Sequence, residues 1–232
     1  MIRLTLQEQT LYSTVTFRRL LDSLARPGKI NQLEYPHFVG ESPCCHVGDR
    51  ATTVSANLYA LGALLTLLDR EVSFAIAVDG QWLSHADPLV QWLLLRSGSI
   101  LTSPESTTFA FFCQGSSGGL ITQLNRGTLL EPESSTTAFY CVERLIEWTA
   151  GLEEDPAWVT LELTGPGIES AQGVRAVGLD RSEIMLMNIT RQGYPLGVDV
   201  YLVDSLGCCI GIPRTTRIHL LGKEVQDGVR RS

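Results

Sequence analysis

Gly115-Ser116-Ser117-Gly118-Gly119 has the spacing of a catalytic motif. It satisfies G-x-S-x-G, in which a serine on a tight turn between strand and helix serves as nucleophile, activated by a histidine that a carboxylate orients. Asp199, Asp204 and His219 lie downstream in hydrolase order. Two features argue against the motif. The sequence has no His-Gly-Gly oxyanion stretch, and its one downstream histidine, His219, is expected in a tail after the last strand. A plain Gly/Ser loop is therefore expected, and a stand-alone serine hydrolase of small esters acting through Ser117 is the alternative.

His37, Cys44, Cys45 and His46 supply metal-ligand atoms within ten residues, but adjacent side chains point apart and do not readily converge on one tetrahedral ion. A loop with buried thiols and no metal is expected. His85 stands alone before a helix and reads as a surface or capping residue. A phosphate loop needs G-x-x-x-x-G-K-[ST], and no glycine precedes a lysine and Ser/Thr in that spacing. Lysine occurs only as Lys29, just past a Pro-Gly stop, and Lys223, in the terminal tail. An imine-forming cofactor needs a lysine at a pocket wall, so none is expected. Arginine is the available anion ligand, and its planar fork suits phosphate or carboxylate. Arg214-Thr215-Thr216-Arg217 follows Pro213 at the expected end of the sheet, where guanidinium and hydroxyl groups could converge on an oxyanion or a partner. The competing and expected role is structural, with Thr215 and Thr216 capping a turn and both arginines paired to surface carboxylates.

The elements that position these residues follow from periodicity. Phe17, Leu20, Leu21 and Leu24 recur at i, i+3, i+4, i+7 with Arg18, Arg19 and Asp22 opposite, which predicts an amphipathic helix stopped by Arg26-Pro27-Gly28. Residues 53–68 are apolar on most sides and predict a buried helix. Strands are predicted over 72–78, 107–113, 136–142 and 157–163, bounded by turn residues such as Asp79-Gly80 and Gly165-Pro166-Gly167. Asp87-Pro88 opens a helix that ends near Gly98, and a short helix is predicted over 120–125. Asp180 and Glu183 form the D-x-x-E variant of a capping box, opening a helix through Ile189. Residues 198–203 and 208–212 close the fold as a hairpin at the sheet edge. Helices alternating with apolar strands predict an α/β protein, one domain over residues 1–232 with a mixed sheet flanked by helices.

Composition narrows the function classes. Of 232 residues 44% are hydrophobic, enough for a packed core without disulfides or metal. The net charge of −7 without a basic run excludes a nucleic-acid partner and an anionic membrane surface as expectations. The longest strongly apolar stretch, residues 58–68, falls far short of the roughly 18 to 20 needed to span a bilayer. No hydrophobic export segment opens the chain, so a cytoplasmic protein is expected. Four of the six cysteines are neighbours, Cys44-Cys45 and Cys208-Cys209, and reduced thiols are expected.

Six segments, in this order, resemble one family. They are Phe17-Arg18-Arg19-Leu20-Leu21 with Arg26-Pro27-Gly28, Leu64 to Asp69, Gly127-Thr128 leading to Pro132-Glu133, Leu163-Thr164-Gly165-Pro166-Gly167-Ile168, Tyr194-Pro195-Leu196-Gly197-Val198-Asp199, and Ile212-Pro213-Arg214-Thr215-Thr216. The family is PhnH, a component of the bacterial carbon-phosphorus lyase complex. The resemblance implies a fold like the large domain of pyridoxal-phosphate-dependent transferases, without the cofactor. It further implies a non-autonomous role in a transferase complex. Together with the G, I and L components of that complex, PhnH supports displacement of adenine from ATP by an alkylphosphonate, giving a ribose 1-phosphonate 5-triphosphate. The family implies contact with the J component in the assembled core and a homodimer when isolated. It supplies no catalytic residue, so Arg214, Thr215 and Thr216 carry over as motif positions only.

Overall fold

Side chains that alternate between two apolar environments set the central layer. The structure is a computed structural model and describes residues 6–40, 44–46, 53–149, 155 and 157–221. Helix α1 (Leu6–Ala25) leads to the short strand β1 (Asn31–Gln32), the hairpin β2 (Cys44–His46) and β3 (Thr53–Ser55), and helix α2 (Leu58–Leu67). There follow β4 (Ser73–Val78), β5 (Gln81–Trp82), α3 (Pro88–Ser97), β6 (Ile100–Leu101) and β7 (Phe109–Phe112). Two 3₁₀ turns, Leu120–Gln123 and Pro132–Ser134, separate β7 from β8 (Thr137–Cys141). The chain continues through β9 (Arg144–Glu147), β10 (Trp158–Thr164), β11 (Gln172–Val177), α4 (Arg181–Thr190), β12 (Asp199–Val203), β13 (Cys208–Ile212) and β14 (Arg217–Leu221).

The main sheet has the order β1-β13-β12-β8-β7-β4-β5, with β6 also paired to β4. β4, β7, β8 and β12 are mutually parallel, while β13 runs antiparallel to β12 and β5 antiparallel to β4. This is the expected mixed sheet. On one face Phe74, Ile76, Phe111, Phe139 and Tyr201 pack under α1, α2 and α3. On the other, Ala77, Ala110, Phe112, Ala138, Tyr140, Val200 and Leu202 meet Val159, Leu161, Leu163, Val174 and Ala176 of a second sheet, with Ile184 and Met187 of α4. Burial on both faces explains why the central strands read as continuous apolar runs.

The second sheet, antiparallel in the order β14-β10-β11-β9, was not expected beyond β10. It buries one face only, as the pattern of β10 shows: Val159, Leu161 and Leu163 are buried while Thr160, Glu162 and Thr164 are half-buried. Three further expectations change. Residues 53–55 form a strand against 44–46, and α2 starts at Leu58 because the Asn57 side chain accepts from Ala60 N at 3.1 Å. The 198–212 hairpin is not the sheet edge, since β1 pairs beyond it on β13. The segment 120–123 is a 3₁₀ turn. Among the described residues no helix is long and apolar enough to cross a membrane.

Candidate functional site

Ser117 is the residue with the strongest catalytic motif, and its surroundings rule out that role. It is fully buried, and its Oγ donates to the Glu183 carboxylate, lying 3.0 and 2.9 Å from the two oxygens, and accepts from Gly119 N at 3.2 Å. Its backbone N–H binds Glu183 Oε1 at 2.8 Å, and Tyr140 OH donates to Oε2 at 2.8 Å. Glu183 therefore cross-links the Gly/Ser loop to α4 and β8. Burial and the neighbouring carboxylate hold the Tyr140 phenol well above its ordinary pKa, so it stays a donor. The expected capping box is only half present: Asp180 accepts from Ser182 N at 2.9 Å, but Glu183 turns inward.

The other residues of the hydrolase reading are engaged elsewhere. Asp204, fully buried, accepts from Leu145 N, Leu206 N and Cys208 N at 2.8 to 2.9 Å and so builds the β12–β13 turn. His219 lies in β14, opposite Glu162, and not in a tail. Asp199 opens β12 and belongs to a different cluster.

That cluster gathers around Arg214, at the amino ends of β8 and β12. Arg214 N binds Asp199 Oδ1 at 2.7 Å, and its guanidinium reaches Asp199 Oδ2 at 3.5 Å, Ser135 Oγ at 2.5 Å and the Pro132 carbonyl. The turn backbone comes equally close to its neighbours. A Cβ on Gly197, at φ 153°, would stand 2.8 Å from Arg214 Cβ, and one on Gly167 would stand 2.5 Å from Ala25 O. Five of the six resembling segments, the first through Arg26-Pro27-Gly28, thus meet at one junction, while Leu64 to Asp69 belongs to the helix layer with Phe17 to Leu21 of α1.

Beside the junction a cleft of about 580 Å³ opens between α4 and the β13–β14 turn. Arg191, Arg214, Thr215, Thr216, Arg217 and His219 are among its lining residues. Thr215 and Arg214 are half-buried, Thr216 is buried and Arg217 is exposed. Sequence reasoning missed Arg191, the C-cap of α4. Its Nη2 donates to Ile212 O at 3.0 Å, and burial lowers its pKa to about 10, so it stays charged at neutral pH.

A larger cleft, about 1100 Å³, lies at the carboxyl ends of β7, β8 and β12, where open α/β sheets bind their ligands. Tyr35, Tyr59, Trp158, Asn57, Gln114 and Glu143 help to line it. No motif marked these residues, because the chain brings them together only through the topology. Lys29 pairs with Asp22 at 2.8 Å, while Lys223 and the side chains of Cys44, Cys45 and His46 fall outside the described residues. Among the described residues, Cys208 and Cys209 are not joined in a disulfide.

A mixed α/β protein whose motif residues converge on an interlocked junction, and not on an open nucleophile, has the build of a component held in a defined shape. Residues 5–219 match the family model described as Bacterial phosphonate metabolism protein (PhnH), and the chain belongs to that family. Its place is in phosphonate metabolism. Comparison with curated proteins gave no match.

Proposed function

We propose that the chain is a non-autonomous component of the carbon-phosphorus lyase core complex. It works with the G, I and L components in transferring the ribose triphosphate moiety of ATP to an alkylphosphonate, with release of adenine. The family match over residues 5–219 carries this reading. The interior supports it: Ser117, at the motif's nucleophile position, is buried against Glu183, which withholds it from stand-alone ester hydrolysis. The surface supports it too. Leu129 and Leu130 are 76% and 93% exposed on the loop that Arg214 anchors through Pro132, and paired exposed leucines suit a protein partner.

The reading includes contact with the J component, a homodimer for the isolated chain, one functional domain over residues 1–232 and a cytoplasmic location. The three-layer arrangement is offered as a relative of the large domain of pyridoxal-phosphate-dependent transferases. Arg214, Thr215 and Thr216 are proposed as the element that shapes an anion or partner contact, with Arg214 as its positioning residue. Tagged chain, purified from its source, is expected to bring down the G, I, J and L components. Recovery of the chain with none of them would overturn the assignment.

A further inference from the structure

We infer that the cleft between α4 and the β13–β14 turn binds a phosphate-type oxyanion, through Arg191, Thr216 and Arg217. Two buried polar atoms of its lining have no partner among the described residues, Arg191 Nη1 and Thr216 Oγ1. Thr216 is 2% exposed. Buried polar atoms are nearly always bonded in native structures, and these two share one cleft. A guanidinium can only donate, and a hydroxyl has one proton to give. What both lack is an acceptor.

Charge selects the same class of ligand. Three of the ten lining residues are arginine, one is histidine and none is acidic. Asp199 is bonded to Arg214, and the nearest other carboxylate on β10, Glu162 opposite His219, is not among the lining residues. Arg214 is not the ligand group, because its fork already holds Pro132, Ser135 and Asp199. Asn188 is engaged as well, donating to Ile218 O at 3.1 Å. Of the groups left on the lining, the Arg191 edge, the Thr216 hydroxyl and the exposed Arg217 are the ones assigned to the anion, beside Tyr194, Thr215 and His219. A planar guanidinium fork matches the oxygens of a tetrahedral anion. The cleft volume, about 580 Å³, is in the range of small-molecule sites and has room for a phosphate ester or a short polyphosphate. The inference deepens the anion contact proposed for the Arg214-Thr215-Thr216 element and rests on it, but not on the proposed complex, since it concerns the isolated chain.

The test is calorimetric titration of the full chain with inorganic phosphate, tripolyphosphate, acetate and chloride at matched ionic strength. Saturable binding of phosphate or tripolyphosphate, but not of acetate or chloride, is expected. Tighter binding of tripolyphosphate would point to a polyphosphate chain, and equal binding to a single head group. Thr216→Val removes a hydroxyl that has no partner among the described residues, so the variant should melt no lower than the parent and bind about tenfold more weakly. Arg217→Ala, at an exposed position, should weaken binding by a similar factor. Absence of saturable phosphate and tripolyphosphate binding, equal affinity for acetate, or parental affinity in either variant would overturn the inference. Adenine release plays no part in these readings, so this site and the proposed complex can fail separately.

Discussion

The Asp199 carboxylate grips Arg214 twice, taking its backbone N–H on Oδ1 at 2.7 Å and facing its guanidinium from Oδ2 at 3.5 Å. The first strand residue of β12 is thereby locked to the turn that leaves β13. Both side chains are less than one-fifth exposed, so the pair sits where water screens it weakly.

Arg214→Ala should cost about 2 to 4 kcal/mol, because it strands the Asp199 charge and frees the Pro132 and Ser135 acceptors. Urea denaturation measures this. Arg214→Lys should recover little of the loss, since an ammonium lacks the fork that reaches three acceptors. Parental stability in the alanine variant would show the junction to be unimportant for folding.

Ser117→Ala should lower stability by about 1 to 3 kcal/mol, through loss of a bond to a charged acceptor inside the protein. A fluorophosphonate probe should leave Ser117 unlabelled in the parent. Tyr140→Phe should be non-additive with Ser117→Ala in a double-mutant cycle, because both side chains serve the same Glu183 carboxylate. Additive losses would contradict a shared network.

Gly115→Ala should cost at least about 3 kcal/mol. Its Cβ would stand 1.8 Å from Gly178 O, and the clash would part the loop from Asp180 N, which binds Gly115 O at 2.9 Å. Gly119→Ala is the control. It has open space but a φ of 91°, so its cost is confined to backbone strain of about 1 to 2 kcal/mol. Equal stability in the two variants would contradict the close approach of Gly115 to Gly178.

Alkaline pH should destabilise the fold. Burial pushes the Cys209 thiol up to about 12, and the phenols of Tyr140 and Tyr201 are raised by the same cause. An unfolded thiol releases its proton near 8.5 while the folded one keeps it, so the unfolded chain binds fewer protons and stability falls as pH rises. The contribution is whole below about pH 8.5 and declines up to about 12. Denaturant unfolding from pH 8 to 10.5 should show this decline, and Cys209→Ala should flatten it.

Legibility in the sequence followed where burial was decided. The central strands were readable because both faces of Ile76, Phe111 and Phe139 and their neighbours are covered, which makes 74–78, 109–113 and 138–142 continuous apolar runs. Arg144-Leu145-Ile146-Glu147 and Arg217-Ile218-His219-Leu220-Leu221 carry no such run, and they become strands only by pairing with β11 and β10. The Gly/Ser motif was visible, but its meaning rests on Glu183, 66 residues away. Arg214 offered two roles in sequence, an anion ligand and the expected structural pairing with a carboxylate, and its fork binds Asp199, Ser135 and Pro132. Arg191 showed no signal, because a lone arginine at a helix end is ordinary until the sheet closes over it.

Adenine release from ATP and an alkylphosphonate by a mixture of the G, I and L components, measured with and without this chain, tests its non-autonomous role most directly. The chain alone should release none. The complete mixture should turn over, and omission of this chain should slow release by about a hundredfold or more, the order of loss expected when catalytic groups are misplaced. Undiminished release without the chain, or turnover by the chain alone, would contradict that role.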